Sequence, residues 1–457
     1  MRKGFLIGGG LIIIGLLLQL CIGPVRWDVL AWPVNGIVLG CFLAVIILLF
    51  LLRKKVNACR FLGTYHAAIP TLVYAIVLTI IMGLTRQSAD GEWLSNMLSF
   101  WPFVLIYVLM ATILGLVILH RLTQIVNGPS LLLHLGLFLA MTTATLGNAD
   151  MQRLMMITNV GETEWRALTQ DSKVREMPFA INLKRFIMET YDDGTPKRFA
   201  SEIQVMTRSG KNFQATVDVN KPVEVEGWKI YQYSYDMQMG AMSKTSVLEL
   251  VRDPWLPAVY TGIFMMLLGA VLLVTYTRWS YKRLLPIGAL VVVALCIVSY
   301  FMPIIRSTKL VPALQSPWFT PHILVYIICY SLMGVVAVMA IWMLIKGKQA
   351  TDRSSLITSL DNLVYVGLAF MTVGMLFGAL WAKEAWGHYW SWDPKETWAA
   401  ITWFAYLVYV HYRQLPTHKP RLVLWILILS FILLQMCWWG INYLPSAQET
   451  SVHTYNT

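Results

Sequence analysis

Eleven apolar runs restrict what this chain can fold into more than anything else in it. They lie near residues 4–22, 34–52, 67–84, 100–120 and 131–147 and, after one polar stretch, near 254–275, 284–304, 322–345, 362–383, 396–411 and 421–439. Each is long enough, or nearly so, to cross about 30 Å of hydrocarbon. A bilayer admits only segments that satisfy their own backbone hydrogen bonds, so these runs predict transmembrane helices. The tenth is the weakest, being short and rich in aromatics. Charged residues are 13% of the 457, against about 25% in soluble domains, and mean hydropathy is +0.60. Those values exclude a soluble enzyme, a disordered chain and a basic nucleic-acid-binding domain. The fold class expected is a polytopic all-α membrane protein of about eleven transmembrane helices with a small extracytoplasmic β-rich domain.

Orientation follows from the basic residues. An odd number of spans puts the termini on opposite sides. With the N-terminus inside, the short inner segments hold sixteen Lys and Arg: Arg2, Lys3, Arg53, Lys54, Lys55, Arg60, Arg121, Arg278, Lys282, Arg283, Lys346, Lys348, Arg353, Arg413, Lys419 and Arg421. The short outer segments hold six, and the other fourteen fall within the polar stretch 148–253. Sixteen against six obeys the positive-inside rule and accounts for the net charge of +12 without a polyanionic partner. The first run, preceded by Arg2 and Lys3 and ending at Ile22, is followed by no small-residue cleavage site and reads as an uncleaved span. The six cysteines include no C-x-x-C pair, so neither a disulfide framework nor a zinc site is implied. The chain carries no C-x-x-C-H of its own.

The stretch 148–253 therefore lies outside. Alternating segments at Phe179–Tyr191, Ser201–Thr207, Asn212–Val219 and Val223–Tyr235 are separated by Asp192-Asp193-Gly194-Thr195-Pro196 and Ser209-Gly210. About a hundred residues of short strands predict a small β-sandwich or sheet domain. It contains neither His nor Cys, and a recognition or clamping role suits it. The organisation expected is 1–147 in the membrane, 148–253 outside and 254–457 in the membrane.

The topology sorts the eight histidines by depth. His322 opens the eighth span at its outer end and His453 lies in the outer tail, while His134 and His411 sit at the inner level within apolar runs. A histidine at a helix end is more often an interfacial or capping residue than a ligand. An ionisable side chain inside a span is a stronger signal, since placing one there costs about 3 kcal/mol. Two histidines at each of two depths suit a macrocyclic iron, which takes axial imidazoles from opposite faces. His66, His120, His388 and His418 read as bland, with His66 the reserve for the inner pair. The outer segment Trp386-Gly-His-Tyr-Trp390-Ser-Trp392-Asp393-Pro-Lys-Glu396-Thr-Trp398 is denser in indole than an anchoring belt requires. Indole faces suit a porphyrin plane, and Lys or backbone N–H groups suit its propionates.

The stretch from Gly378 to Trp398, continuing to Tyr409-Val-His411, resembles the tryptophan-rich "WWD" signature (381–398) of haem-handling proteins, nearest the CcsA (ResC) branch of System II cytochrome c synthetases. Leu131–Glu162, with Pro178-Phe-Ala-Ile-Asn-Leu and Gly227-Trp-Lys-Ile-Tyr-Gln232, resembles the CcsB (ResB) partner. Together they resemble a fused CcsBA over most of residues 100–457; the spans before residue 100 have no counterpart in the likeness. The resemblance implies a holocytochrome-c synthase of the bacterial inner membrane, N-terminus cytoplasmic and C-terminus periplasmic. It would carry haem b, both substrate and bound cofactor, from an inner pair, His134 and His411, to an outer pair, His322 and His453. There Trp386, Trp390, Trp392 and Trp398 would hold the haem, and Asp393 would orient it. The partner implied is apocytochrome c with its CxxCH motif, with a thiol-reducing protein besides, surrounding membrane lipid and no nucleic acid. Three other readings stay open: a haem exporter or chaperone serving a separate ligase, a bis-His cytochrome exchanging electrons with quinone, and a transporter or scaffold without cofactor.

Overall fold

The computed structural model describes residues 1–124, 128–276, 309–347 and 354–447. Its helices are α1 (Arg2–Ile22), α2 (Val34–Leu52), the short α3 (Asn57–Leu62), α4 (Tyr65–Leu84), α5 (Trp101–Gln124), α6 (Gly128–Gly147), α7 (Leu256–Tyr276), α8 (Phe319–Lys346), α9 (Ser354–Trp386), α10 (Pro394–Arg413) and α11 (Pro420–Trp438). Among the described residues nine helices are long and apolar enough to cross a membrane. The chain is thus a multi-pass helical membrane protein, and ten of the eleven expected runs are helical. The run at 284–304 lies outside the described residues, as does His453.

Among the described residues, helix α10 is the one long helix that composition alone would not place in a bilayer, and its surroundings explain why. Twelve of its twenty residues are buried, Trp398, Trp403, Tyr406 and Tyr409 among them. It is enclosed by α4, α9 and α11. A helix shielded by protein need not be apolar all round, because its polar groups find partners in its neighbours. Thr402 Oγ1 donates to Trp398 O at 2.9 Å, and Trp403 Nε1 donates to Thr372 Oγ1 on α9 at 3.0 Å. The lipid-facing α1 and α2 are the least buried spans and are apolar almost throughout.

Outside the membrane, eight strands form one antiparallel sheet in the order β5-β4-β3-β2-β1-β8-β7-β6. They are β1 (Gln152–Asn159), β2 (Thr163–Leu168), β3 (Val174–Thr190), β4 (Pro196–Thr207), β5 (Asn212–Asp218), β6 (Val223–Val225), β7 (Trp228–Tyr235) and β8 (Thr245–Arg252). Alternate residues point inward: Phe179, Ile181 and Leu183 on β3, Ile203 and Val205 on β4, Leu248 and Leu250 on β8. Ser201 on β4 hydrogen-bonds Gln232 on β7 (2.6 Å) and Ser246 on β8 (2.7 Å). These strands lie far apart in the sheet order, so the sheet curls over its own core. The expected run Val223–Tyr235 is two strands, split at Glu226 (φ 48°) and Gly227 (φ 80°), where Val225 pairs with Trp228. A two-residue turn with both φ positive is the hairpin geometry that matches strand twist.

β1 pairs with β8 along its whole length, Gln152 opposite Arg252, so the chain leaves α6 and re-enters α7 side by side. Asp150 ties that junction: it accepts from the Trp32 backbone N–H, Asn35 Nδ2 and Trp255 Nε1, each at 2.7 Å. The sheet also grips the segment leading into α8. Tyr191 Oη donates to Leu310 O (3.1 Å), Asn220 Nδ2 to Pro312 O (2.7 Å) and Gln315 Nε2 to Lys197 O (2.8 Å), while Lys309 Nζ lies 2.8 Å from Asp193 Oδ2.

Lys309, with the Thr195 N–H, holds the Asp193 carboxyl down at about 2, below the roughly 3.9 of a free aspartate. A lowered carboxyl contributes stability above its unfolded value and loses it as pH falls through the folded one. The small difference in melting temperature between wild type and Asp193→Asn is therefore expected to hold from pH 7 to about 4 and to vanish near pH 2. A difference persisting at pH 2 would contradict the pairing.

Candidate functional site

At the level the sequence reading places inside, His134 sits in the second turn of α6 and His411 in the last turn of α10. Their ring centroids are 6.5 Å apart with planes at 70°. His134 Nδ1 lies 2.6 Å from Ser130 O, and His411 Nδ1 lies 2.7 Å from Leu407 O. A carbonyl oxygen only accepts, so each Nδ1 carries the proton and each Nε2 keeps its lone pair. This is the tautomer of a metal-binding imidazole whose second nitrogen is anchored. Among the described residues no three His, Cys, Asp or Glu side chains cluster as a metal-ion site. Two imidazole donors without a third side-chain ligand would suit a macrocycle that brings its own nitrogens. His66 is exposed at the start of α4, and it is His134 that faces His411.

The inner end of α10 is braced as well. Arg413 forms a two-pronged ion pair with Asp361 on α9 (2.9 and 2.7 Å), and Tyr409 Oη donates to the same carboxylate at 2.7 Å. His411 lies between these two residues on the helix. An acid and a base at matching depth on neighbouring spans were the available signal for this contact, and sequence reasoning missed it.

At the outer level, His322 occupies the first turn of α8. Its Nδ1 lies 2.8 Å from Gly374 O on α9, and its ring is 5.7 Å from Trp381 and 4.9 Å from Tyr326. Gly378 makes that docking possible, since a Cβ there would lie 2.9 Å from Cε1 and 3.0 Å from Nδ1 of the imidazole. Gly374, one turn earlier, receives the ring of Tyr326 in the same way. The pattern Gly374-x-x-x-Gly378 facing His322-x-x-x-Tyr326 is small-residue helix packing, a legible signal that the sequence reading did not use.

The tryptophans divide into three settings. Trp386 is 5.2 Å from Trp381 and stacks on His388 at 6.3 Å, extending the aromatic surface beside His322. Trp390 and Trp392 meet nearly at right angles, 5.7 Å apart. The indole N–H of Trp390 is buried with no hydrogen-bond acceptor among the described residues, a donor that a carboxylate oxygen would satisfy. Trp398 lies deep between α10 and α4, its Nε1 against Gly83, and its indole N–H, like that of Trp390, has no acceptor among the described residues. Asp393 caps α10: its Oδ1 accepts from Glu396 N (2.8 Å), and Glu396 Oε2 accepts from Asp393 N (3.3 Å) and Ser391 N (2.7 Å). With Pro394 at the first helical position, this is a complete capping box. It fixes where the Trp-rich loop ends.

Comparison with known proteins identifies two families along the chain. The Cytochrome C assembly protein family matches residues 255–447, and the ResB-like family matches 129–245. A cytochrome c biogenesis protein CcsA of Heterosigma akashiwo is 32% identical over 241 residues, which span 42% of this chain and 74% of that protein. The chain belongs to the CcsA family of cytochrome c assembly proteins. CcsA of Chlamydomonas reinhardtii is 38% identical over 158 residues, 33% of this chain and 44% of that protein; for CcsA of Guillardia theta the figures are 34%, 177 residues, 33% and 58%. The chain thus spans about half the length of these two relatives. In this chain the CcsA-like part carries His322, the Trp-rich loop and His411, while His134 lies in the ResB-like part joined ahead of it. The inner pair therefore forms across the two parts.

Two outcomes follow. Asp393→Ala is expected to lower stability by about 1 kcal/mol through the lost cap, and Asp393→Asn by only a few tenths, because Asn caps as well as Asp. Denaturant unfolding measures both, and equal losses would remove the capping role. Gly378→Ala is expected to cost about 1–3 kcal/mol by forcing the His322 ring aside; unchanged stability in the same assay would mean that the slot yields.

Proposed function

We propose that this chain moves haem to the outer face of a bacterial inner membrane and joins it to the CxxCH motif of apocytochrome c, as a fused holocytochrome-c synthase. The observation that carries the reading is the inner pair. His134 of the ResB-like part and His411 of the CcsA-like part face one another at 6.5 Å, each with Nδ1 tied to a carbonyl and Nε2 left as a donor atom. The arrangement exists only where the two parts meet, which suits a chain in which both are joined. We read residues 1–147, 148–253 and 254–457 as its membrane, external and membrane parts, with the N-terminus cytoplasmic and the C-terminus periplasmic.

In this reading haem b is the cargo, held first by the inner imidazoles and then by His322 and His453. Trp386, Trp390 and Trp392 supply apolar faces to the ring, and the Trp390 N–H supplies a donor to a propionate. Each thioether forms when a cysteine S–H adds across a vinyl C=C: sulfur bonds one carbon, the proton ends on the other, and nothing leaves. Such an addition needs a reduced thiol, which is where a thiol-reducing partner enters, but no nucleophile from this chain. The protein's contribution is orientation, and holding two reactants in register replaces a bimolecular encounter with a unimolecular one.

The test is co-expression of this chain with an apocytochrome in a host lacking its own maturation system, read by haem stain on a denaturing gel. A covalently stained cytochrome is expected. It should disappear with His322→Ala and return in part with added imidazole, while His134→Ala or His411→Ala should lower the haem that co-purifies. Haem on the chain without a stained cytochrome would make it a carrier for a separate ligase.

A further inference from the structure

A buried ion pair stands at the seam between the β domain and the Trp-rich loop. Lys383 Nζ, one turn before the end of α9, lies 3.0 Å from Asp253 Oδ2, just past the end of β8; the two side chains are 2% and 5% exposed. Lys383 Nζ also lies 5.5 Å from the ring centre of Tyr389, within the loop. Four residues on, Gly387 adopts φ +73°, and a Cβ there would lie 2.9 Å from Val251 Cγ2, 3.3 Å from the Tyr231 ring and 3.5 Å from Glu249 Oε2. Glu249 is held by Arg153 of β1, whose Nε donates to its Oε1 at 2.8 Å. Lys383 and Gly387 thus present one face of α9 and its exit to Glu249 and Val251, which share one face at the end of β8, and to Asp253 just past it. The other side of the same turns carries Gly378 and Trp381, which meet His322, and Glu384, whose Oε1 accepts from Trp318 Nε1 at 2.8 Å.

Burying two opposite charges costs desolvation that their attraction only partly offsets, and an apolar pair of similar size is often no less stable. Stability alone therefore does not call for this pair. Asp253 lies between the ResB-like match and the CcsA-like match, where the chain passes from sheet to membrane. We propose that Lys383 and Asp253 are positioning residues, a charge-paired latch through which the β domain sets the Trp-rich loop in register with His322. The β domain thereby completes the outer site without touching its ligand. This deepens the synthase reading and rests on it for the purpose of the register, while the latch itself can be read without haem.

The test compares wild type, Lys383→Met, Asp253→Leu, the double variant Lys383→Met/Asp253→Leu and the conservative Lys383→Arg. Two readouts are used: hydrogen-exchange protection of residues 386–393 in the intact purified chain, and stained holocytochrome yield. The single variants leave an unpaired buried charge and are expected to lose protection and yield tenfold or more. The apolar double variant removes that charge and is expected to melt near wild type, yet to keep the loss of protection confined to 386–393 and the tenfold loss of yield. Lys383→Arg is expected to restore both. Wild-type protection in the double variant would overturn the latch, and so would wild-type yield. If the wild-type chain stains no cytochrome, the synthase reading fails, and exchange in the double variant still decides the latch.

Discussion

Hydrocarbon offers no hydrogen-bond partner, and the arrangement of this chain follows from where its polar groups are allowed to sit. The apolar α1 and α2 face lipid. Helix α10, with Thr397, Thr402, Tyr406, Tyr409 and His411, is enclosed by α4, α9 and α11. Several buried polar groups drawn into that enclosure find a partner there, as Trp403 finds Thr372 and Arg413 finds Asp361, while Trp398 Nε1 and Tyr406 Oη have none among the described residues. The same demand orients the inner imidazoles. A histidine in a span stabilises its Nδ1 proton on the carbonyl one turn back, and the ligand-competent nitrogen is what remains. Protecting the helix and preparing the site are one physical event.

The β domain has two attachments to the outer site, one on each side of it. Tyr191, Asn220 and the Lys309–Asp193 pair fasten the segment that becomes α8 and presents His322. The Lys383–Asp253 pair and the close approach at Gly387 fasten α9 and the loop that follows. Paired along their whole length, β1 and β8 stand directly over α6 and α7, so the domain cannot tilt without disturbing the junction held by Asp150. The domain is joined at several points to the helices that carry His322 and the tryptophans.

Much of this was legible in the residues, and the exceptions have identifiable causes. The turn at Asp192–Pro196 falls between β3 and β4 as the Gly and Pro signals required. The break at Glu226-Gly227 was missed although it is marked in the sequence, where the apolar alternation shifts phase from Val223 and Val225 to Trp228 and Ile230 across a Gly-containing pair. Strands β1, β2 and β8 were missed too; β2 carries Glu164 and Arg166, and the pairing of β1 with β8 joins the two ends of the domain. Trp398 looked like its neighbours Trp390 and Trp392, and its burial against Gly83 depends on a helix more than three hundred residues earlier. Asp393 read as an orienting group, and its place three residues before Glu396 already spelled a capping box.

The sequence by itself determined the class of molecule and the apolar runs that form its described spans, and it supplied an expected depth for each histidine. Those properties depend on local apolar length, on turn residues and on the count of Lys and Arg between spans, all of which are written along the chain. Only the tertiary structure decided that His411 faces His134 rather than His66, that Gly374 and Gly378 form the slot for His322, and that Lys383 pairs with Asp253. Each of these joins segments that are far apart in sequence, and two helices of equal depth can meet on any face. Which faces meet is settled by packing over the whole bundle, where a missing Cβ or a buried charge outweighs anything a local pattern records.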